Sequence, residues 1–240
     1  MSPDTQAFLT IIMPFHHEEK NIAQTLGRLG ECLAIPYEIL LIHDDKDDPA
    51  LPIIKSIQTK DPSIQVLLNK YRPGIPGAIR TGLGRSSGQY ILFLVADDQG
   101  PIAIINPMFD LMEQGYDLVS GTRYAKGGSI QGGSFWARVI SAWGNRLFCR
   151  LAHCQLSDPT CGIKMFRKDI LPKVNLKADE DWAIAFELAV ETQYHDLKVT
   201  ELGFNSSNRM DGGESHFKIM RRVFKYGPIF LRGIFKLWKK

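Results

Sequence analysis

The sequence predicts an α/β protein built on a mostly parallel central sheet flanked by helices. Three observations carry that expectation. Apolar strand-like runs alternate with helical periodicity from residue 8 to residue 120. Two of those runs stop abruptly in carboxylates, at residues 44–48 and at 97–98. No linker, internal repeat or shift in composition divides the 240 residues, a length that suits one sizeable domain.

Each element follows from its pattern. Phe8–Met13 is an apolar strand closed by Pro14. Glu18–Leu33 has helical spacing at Ile22, Leu26, Leu29 and Leu33, with acids in a first turn where the helix dipole favours them. Glu38–Ile42 is a second strand and runs into His43-Asp44-Asp45-Lys46-Asp47-Asp48. Ile53–Thr59 reads as a helix, Ile64–Leu68 as a third strand and residues 74–86 as a glycine-punctuated helix. Residues 90–95 form a fourth strand, Asn106–Glu113 a helix and Asp117–Ser120 a fifth strand. This βαβαβ order implies parallel strands joined by crossover helices. Beyond Tyr124 a glycine-rich loop leads into a helix around Trp136–Leu151. A strand at Ile163–Arg167, a helix near Trp182–Gln193 and a strand at Lys198–Phe204 complete the body.

Composition bounds the rest. An apolar fraction of 44% with 23% charged residues is that of an ordinary globular protein. Cys32, Cys149, Cys154 and Cys161 have neither zinc-finger nor CxxC spacing and read as thiols, which suits a reducing cytoplasm. No signal peptide is expected at the N-terminus, and no uncharged apolar stretch reaches the length of a membrane span. The net charge of +3 conceals a split: residues 217–240 hold eight basic residues and no acid, leaving −5 on residues 1–216. In that tail Lys218, Arg221, Arg222 and Lys225 recur at helical spacing, and after a break at Gly227-Pro228 so do Arg232, Lys236 and Lys239. Phe217, Met220, Phe224, Phe230, Phe235 and Trp238 supply an apolar face, a composition that points to amphipathic helices on an anionic membrane surface. Two packed helices with solvated lysines would give the same pattern. The helix around Trp136 and Trp143, with Arg138, Arg146 and Arg150, extends the surface. No nucleic-acid motif accompanies the basic residues, so nucleic acid is excluded as a partner.

The fourth strand ends Leu94-Val95-Ala96-Asp97-Asp98-Gln99. A buried strand has no use for adjacent acids, and ligands of open α/β sheets bind beyond the carboxyl ends of strands. A solvated Asp-Asp-Gln-Gly-Pro turn would satisfy the same residues. The two acidic clusters nevertheless fall on one sheet edge, where one can hold a base or ribose and the other a metal under a diphosphate.

Seven segments in order then resemble the family 2 glycosyltransferases of GT-A fold, in particular the dolichyl-phosphate mannose synthase-like branch. They are Ile-Met-Pro-Phe-His-His-Glu-Glu-Lys-Asn-Ile (12–22), Tyr-Glu-Ile-Leu-Leu-Ile-His-Asp-Asp (37–45), and Asn69-Lys70 with Gly-Ala-Ile-Arg-Thr-Gly-Leu (77–83). Val-Ala-Asp-Asp-Gln-Gly-Pro (95–101), Ser-Gly-Thr-Arg-Tyr-Ala-Lys-Gly-Gly (120–128), Asp-Pro-Thr-Cys-Gly-Ile-Lys-Met-Phe-Arg (158–167) and Asn-Arg-Met-Asp-Gly-Gly-Glu-Ser-His-Phe-Lys (208–218) follow. The chain departs from the family pattern where Val95 replaces the first metal-motif Asp, His16 a Tyr and His17 an Asn, and where Lys46 intrudes among acids.

The resemblance implies an inverting transfer of a sugar from a GDP- or UDP-sugar to a dolichyl or undecaprenyl phosphate. The enzyme would work as a cytoplasmic protein peripheral on the inner face of the membrane. Residues 1–216 would form the catalytic domain, with a nucleotide-sugar half at about 8–124 and an acceptor half at about 125–216, and 217–240 the membrane tail. Pro14, Glu18, Asp44, Asp45, Lys70, Arg80, Asp97 and Gln99 are assigned to the donor, and Asp97 with Gln99 to Mg²⁺ or Mn²⁺. Asp97, Arg123, Arg209 and Asp158 are the catalytic candidates, the arginines because guanidinium groups grip phosphate oxygens. Arg138 either joins them or lies on a solvated helix face. Glu18 is either a donor contact or a helix first-turn acid. Asp158 and Glu187 are candidate bases for a neutral acceptor, or a turn residue and a helix-surface charge. His16, His17 and His43 are given local polar roles. Transfer to a glycan hydroxyl, and a sugar-nucleotide-binding module without catalysis, are the competing readings.

Overall fold

A computed structural model describes residues 8–132, 135–207 and 216–239. Seven strands form the main sheet: β1 (Leu9–Pro14), β2 (Tyr37–His43), β3 (Ile64–Leu68), β4 (Tyr90–Phe93), β5 (Leu118–Thr122), β7 (Lys164–Arg167) and β8 (Val199–Gly203). Their order is β3-β2-β1-β4-β7-β5-β8. β1 pairs in parallel with β2 on one side and β4 on the other, with Leu9 opposite both Tyr37 and Tyr90. β7 runs antiparallel to its two neighbours, and β5 is again parallel to β8. Two three-residue strands, β6 (Ser129–Gln131) and β9 (Asn205–Ser207), make a small parallel ribbon. They are too short to leave a period in the sequence.

β1 is buried on both faces, as expected of a central parallel strand. Leu9, Ile11 and Met13 face a layer formed with α1 (Ile22–Cys32), α2 (Leu51–Gln58) and α4 (Ile105–Glu113), through Leu29, Ile54 and Met108. Ile12 faces the opposite layer with α3 (Ile75–Leu83) and α6 (Ala183–Tyr194), where Phe93 and Phe166 meet edge to face. The Cys149, Cys154 and Cys161 thiols and the exposed Cys32 are all free.

Two local expectations are corrected. α1 starts at Ile22, so Glu18 and Glu19 precede it and its first turn holds no acid. The tail is also not broken at Gly227-Pro228. α7 runs unbroken from His216 to Trp238 with Pro228 inside it. Proline removes one hydrogen bond, and packing from both sides offsets that loss. Phe230 stacks on Phe186 at 4.9 Å, Ile234 is buried, and both join Phe148 of α5 (Phe135–Ala152) in a third apolar cluster. Lys236 pairs with Glu191 of α6, and the Trp238 indole donates to the Leu151 carbonyl at 2.6 Å. Of Lys218, Arg221, Arg222 and Lys225 only the backbone is described.

Phe186 touches both α5 and α7, so Phe186→Ala should destabilise the protein by about 3–5 kcal/mol. Urea unfolding should show a lower midpoint.

Candidate active site

Parallel β1, β2 and β4 deliver the turns that follow them to one edge of the sheet. After β1 the Phe15 amide still pairs with the Ile42 carbonyl, and the chain then turns through His16, His17 and Glu18. Glu18 is only 8% exposed and accepts from the Asn21 amide at 2.8 Å. Lying outside the helix, it is a buried loop acid rather than a first-turn acid.

After β2, Asp44 binds the next loop: its two oxygens accept from Asn69 Nδ2 and the Gly74 amide, each at 2.7 Å. Asn69 also receives the Tyr71 amide and the Thr81 hydroxyl and donates to the Arg72 carbonyl, which makes it the hub of the β3–α3 turn. The loop closes so tightly that a Cβ on Gly77 would stand 2.1 Å from the Arg72 oxygen. Asp45 accepts from the Asp47 amide and its carbonyl meets His43 Nδ1 at 2.6 Å. Lys70 is exposed on this loop, its amide fixed to Thr81 Oγ1.

Arg80, assigned from the resemblance to the donor, is engaged elsewhere in the fold. Its guanidinium donates to Asp179 Oδ1 and to the Leu176 and Ala178 carbonyls, tying α3 to the segment before α6. Three of its five N–H donors are engaged there.

At the end of β4, Thr25 of α1 donates to the Ala96 carbonyl, and Val95 packs on the first core layer. Asp98, the acid foreign to the family pattern, accepts from the Gly100 amide and from Ser206 Oγ, joining this turn to β9. Gln99 Oε1 accepts from Arg28 at 2.9 Å. The guanidinium there competes with a metal ion for the Gln99 oxygen. Asp97 remains, half-exposed, as the carboxylate at the metal position. One carboxylate fits a hard ion, since Mg²⁺ is commonly held by one or two carboxylates plus substrate phosphates.

After β5, Arg123 meets Asp158 in a two-pronged ion pair of 2.7 and 3.0 Å, and its amide approaches the same carboxylate. Burial opposes the charge on Arg123, and Asp158 more than offsets it, so the guanidinium stays protonated. Asp158 is fully buried. A proton acceptor must reach its donor, and this carboxylate is enclosed with both oxygens occupied. Asp158 is therefore placed to orient Arg123, not to act as a base.

Glu187 is no helix-surface charge either. It accepts from the Ala178 amide at 2.7 Å, and burial raises its pKa. It lines a cavity of about 320 Å³ between α6, α7 and residues 177–180, with Arg232 and Lys236 on the rim. Arg138 donates to the Ile130 carbonyl at 3.3 Å, and Arg209 lies outside the described residues.

The sequence assigned no role to Arg28, nor to Asn69 and Lys164, although the last two lie within the resembling segments. Lys164 is fully buried on β7, donates to Ser120 Oγ, and burial lowers its pKa. A lone lysine inside Gly-Ile-Lys-Met-Phe was the available signal.

The model of the glycosyl transferase family 2 matches residues 10–174, more than half of the chain. The chain belongs to that family. This glycosyltransferase is 28% identical over 235 residues to a dolichol-phosphate mannosyltransferase of Pyrococcus furiosus, covering 96% of this chain and 64% of that protein. The chain thus spans less than two thirds of that relative's length. It is 24% identical to a dolichyl-phosphate beta-glucosyltransferase of Dictyostelium discoideum, over 98% of this chain and 79% of the relative. An undecaprenyl-phosphate 4-deoxy-4-formamido-L-arabinose transferase of Pseudomonas syringae is 28% identical over 71% of this chain and half of its own length. Among solved structures, glucosyl-3-phosphoglycerate synthase of Mycobacterium tuberculosis, bound to Mn²⁺, UDP-glucose and phosphoglyceric acid, superposes with a TM-score of 0.70. That match has 14% identity and covers 95% of this chain and 80% of the other, and it establishes the shared GT-A fold.

Removing the carboxylate under Arg123 isolates a buried cation. Asp158→Ala should cost about 3–5 kcal/mol, read as a lowered melting temperature, whereas a solvated turn acid would cost almost nothing.

Proposed function

We propose that this glycosyltransferase moves a sugar, with inversion, from a nucleotide-sugar donor to a polyprenyl phosphate at the inner face of a membrane. The state of Asp158 carries the reading. A neutral hydroxyl acceptor needs a carboxylate base, and the acid nearest Arg123 is enclosed and paired. A phosphate acceptor brings its own anionic oxygen and needs a fixed positive charge to approach a second anion. Arg123, oriented by Asp158, supplies that charge, and Arg209 is a second candidate. The names of the three relatives, all built on a dolichyl or undecaprenyl phosphate, support the same acceptor class.

Glu18, Asp44, Asp45 and Lys70 would surround the nucleotide, with Pro14 ending the strand that leads to them. Asp44 contributes by holding the β3–α3 loop in place. Asp97 would hold Mg²⁺ or Mn²⁺, which when bound neutralises charge on the leaving diphosphate.

The membrane reading rests on two stripes. On α5, Trp136, Ile140, Trp143, Leu147 and Leu151 recur one or two turns apart and are exposed, Trp143 to 68%. On α7, Leu231, Phe235 and Trp238 do the same, and the Trp238–Leu151 bond joins the helices. Arg146, Arg150 and Arg232 are exposed on the same helices, and Lys239 is exposed just after α7. Aromatic and basic residues together suit an anionic interface, each basic residue contributing about 1 kcal/mol. No helix among the described residues is long and apolar enough to cross a membrane.

A second reading, transfer to a glycan hydroxyl, is favoured by Glu187, whose raised pKa and cavity suit a base. Purified protein with Mg²⁺ or Mn²⁺, a panel of GDP- and UDP-sugars and polyprenyl phosphate should yield a lipid-linked sugar, and Glu187→Gln should retain most of that activity. No lipid product from any donor would remove the lipid-phosphate acceptor. Trp143→Glu with Phe235→Glu should abolish sedimentation with phosphatidylglycerol vesicles while leaving the melting temperature within a few degrees. Undiminished sedimentation would remove the membrane surface.

A further inference from the structure

We propose that His16, His17 and Asp48 form a binding site for a transition-metal ion such as Zn²⁺, separate from the diphosphate metal position at Asp97. One ligand atom from each lies within 4.8 Å of the others. His16 Nδ1 stands 3.7 Å from Asp48 Oδ2. Ligands around one tetrahedral Zn²⁺ are about 3.3 Å apart, as follows from Zn–N and Zn–O bonds near 2.0–2.1 Å. Small rotations of two exposed imidazoles close that difference.

Asp48 is the anchor. Its carboxylate is buried, and its oxygens accept from the His17 and Ala50 amides, each at 2.9 Å. Those bonds fix its orientation and leave each oxygen a lone pair. Among the described residues, no lysine or arginine pairs with it; His16 is its one ionisable partner. A buried carboxylate that faces two exposed imidazoles and no lysine or arginine among the described residues is suited to a cation from solvent. His17 takes φ +56°, an uncommon conformation for a residue with a side chain, and its amide reaches Asp48 from that position.

The donor set selects the ion. Imidazole favours Zn²⁺, Ni²⁺, Cu²⁺ or Fe²⁺, whereas carboxylate and phosphate oxygens favour Mg²⁺ and Mn²⁺. Two histidines and a carboxylate leave at least one position for water or a ligand oxygen. The site pins the turn between Pro14 and Glu18 to the loop after β2, so a bound ion would brace the two loops that frame the nucleotide edge. The inference stands on these side chains alone and does not depend on the acceptor proposed above.

The test uses untagged protein in excess Mg²⁺. Calorimetry should show one Zn²⁺ per chain, and Co²⁺ should give the visible absorption of a low-coordinate nitrogen-oxygen site. His17→Gln and Asp48→Asn should each weaken Zn²⁺ binding at least about tenfold, and Asp97→Asn should leave it unchanged. Because His17 is exposed, its variant keeps the test valid even if Asp48→Asn fails to fold. No stoichiometric binding overturns the proposal. So does binding undiminished by His17→Gln, or binding lost with Asp97→Asn, which would return the ion to the diphosphate position.

Discussion

The double parallel pairing of β1 is the constraint on which the rest of the molecule depends. With β2 on one side and β4 on the other, all its backbone groups are committed and both faces are buried. A strand so enclosed offers chemistry only where it ends. Every turn that leaves β1, β2 and β4 at their carboxyl ends must therefore fall on one edge, and residues 25 to 71 positions apart become neighbours there. The contacts Thr25–Ala96, Arg28–Gln99 and Asp44–Asn69 are direct consequences.

That edge is crowded with acids, and most of them are fasteners. Asp44 accepts two hydrogen bonds from the β3–α3 loop, Asp98 accepts one from its own turn and one from Ser206 of β9, and Asp48 accepts from the Ala50 amide just before α2 while reaching the β1 turn. Asp158 does the same for Arg123. A carboxylate is suited to such work because its two oxygens accept several charge-assisted bonds at once. The extra acid at position 98 thus compensates for nothing at position 95: Val95 packs into the core while Asp98 holds β9. Among Asp97 and Asp98, it is Asp98 whose two oxygens are engaged by the Gly100 amide and Ser206.

The first half of the fold was legible in the sequence because buried parallel strands write themselves as apolar runs, as β1 to β4 do, whereas β7 (Lys-Met-Phe-Arg) and β8 (Val-Thr-Glu-Leu-Gly) carry charges and show far weaker runs. The place of β7 between β4 and β5 was not legible, since a run of four residues carries no direction. Glu18 was legible as a candidate but ambiguous as a helix acid until α1 proved to start four residues later. The roles of Arg80, Gln99 and Asp158 were illegible for one reason. Each is decided by a partner distant in sequence (Asp179, Arg28 and Arg123), and no spacing rule brings those pairs together.

α7 shows how the same physics couples the two ends of the molecule. Its buried face, through Phe230 and Ile234, forms one cluster with Phe148 and Phe186, so α5, α6 and α7 share an interior. The outer faces of α5 and α7 then carry the exposed aromatic stripes in a fixed relation to one another. α5 also holds Asn145, whose amide donates to Thr160, and Thr160 donates to Asp158 beneath Arg123. A surface that engaged both stripes would load α5 along its length, and the Asn145–Thr160–Asp158 chain leads from that helix to the guanidinium.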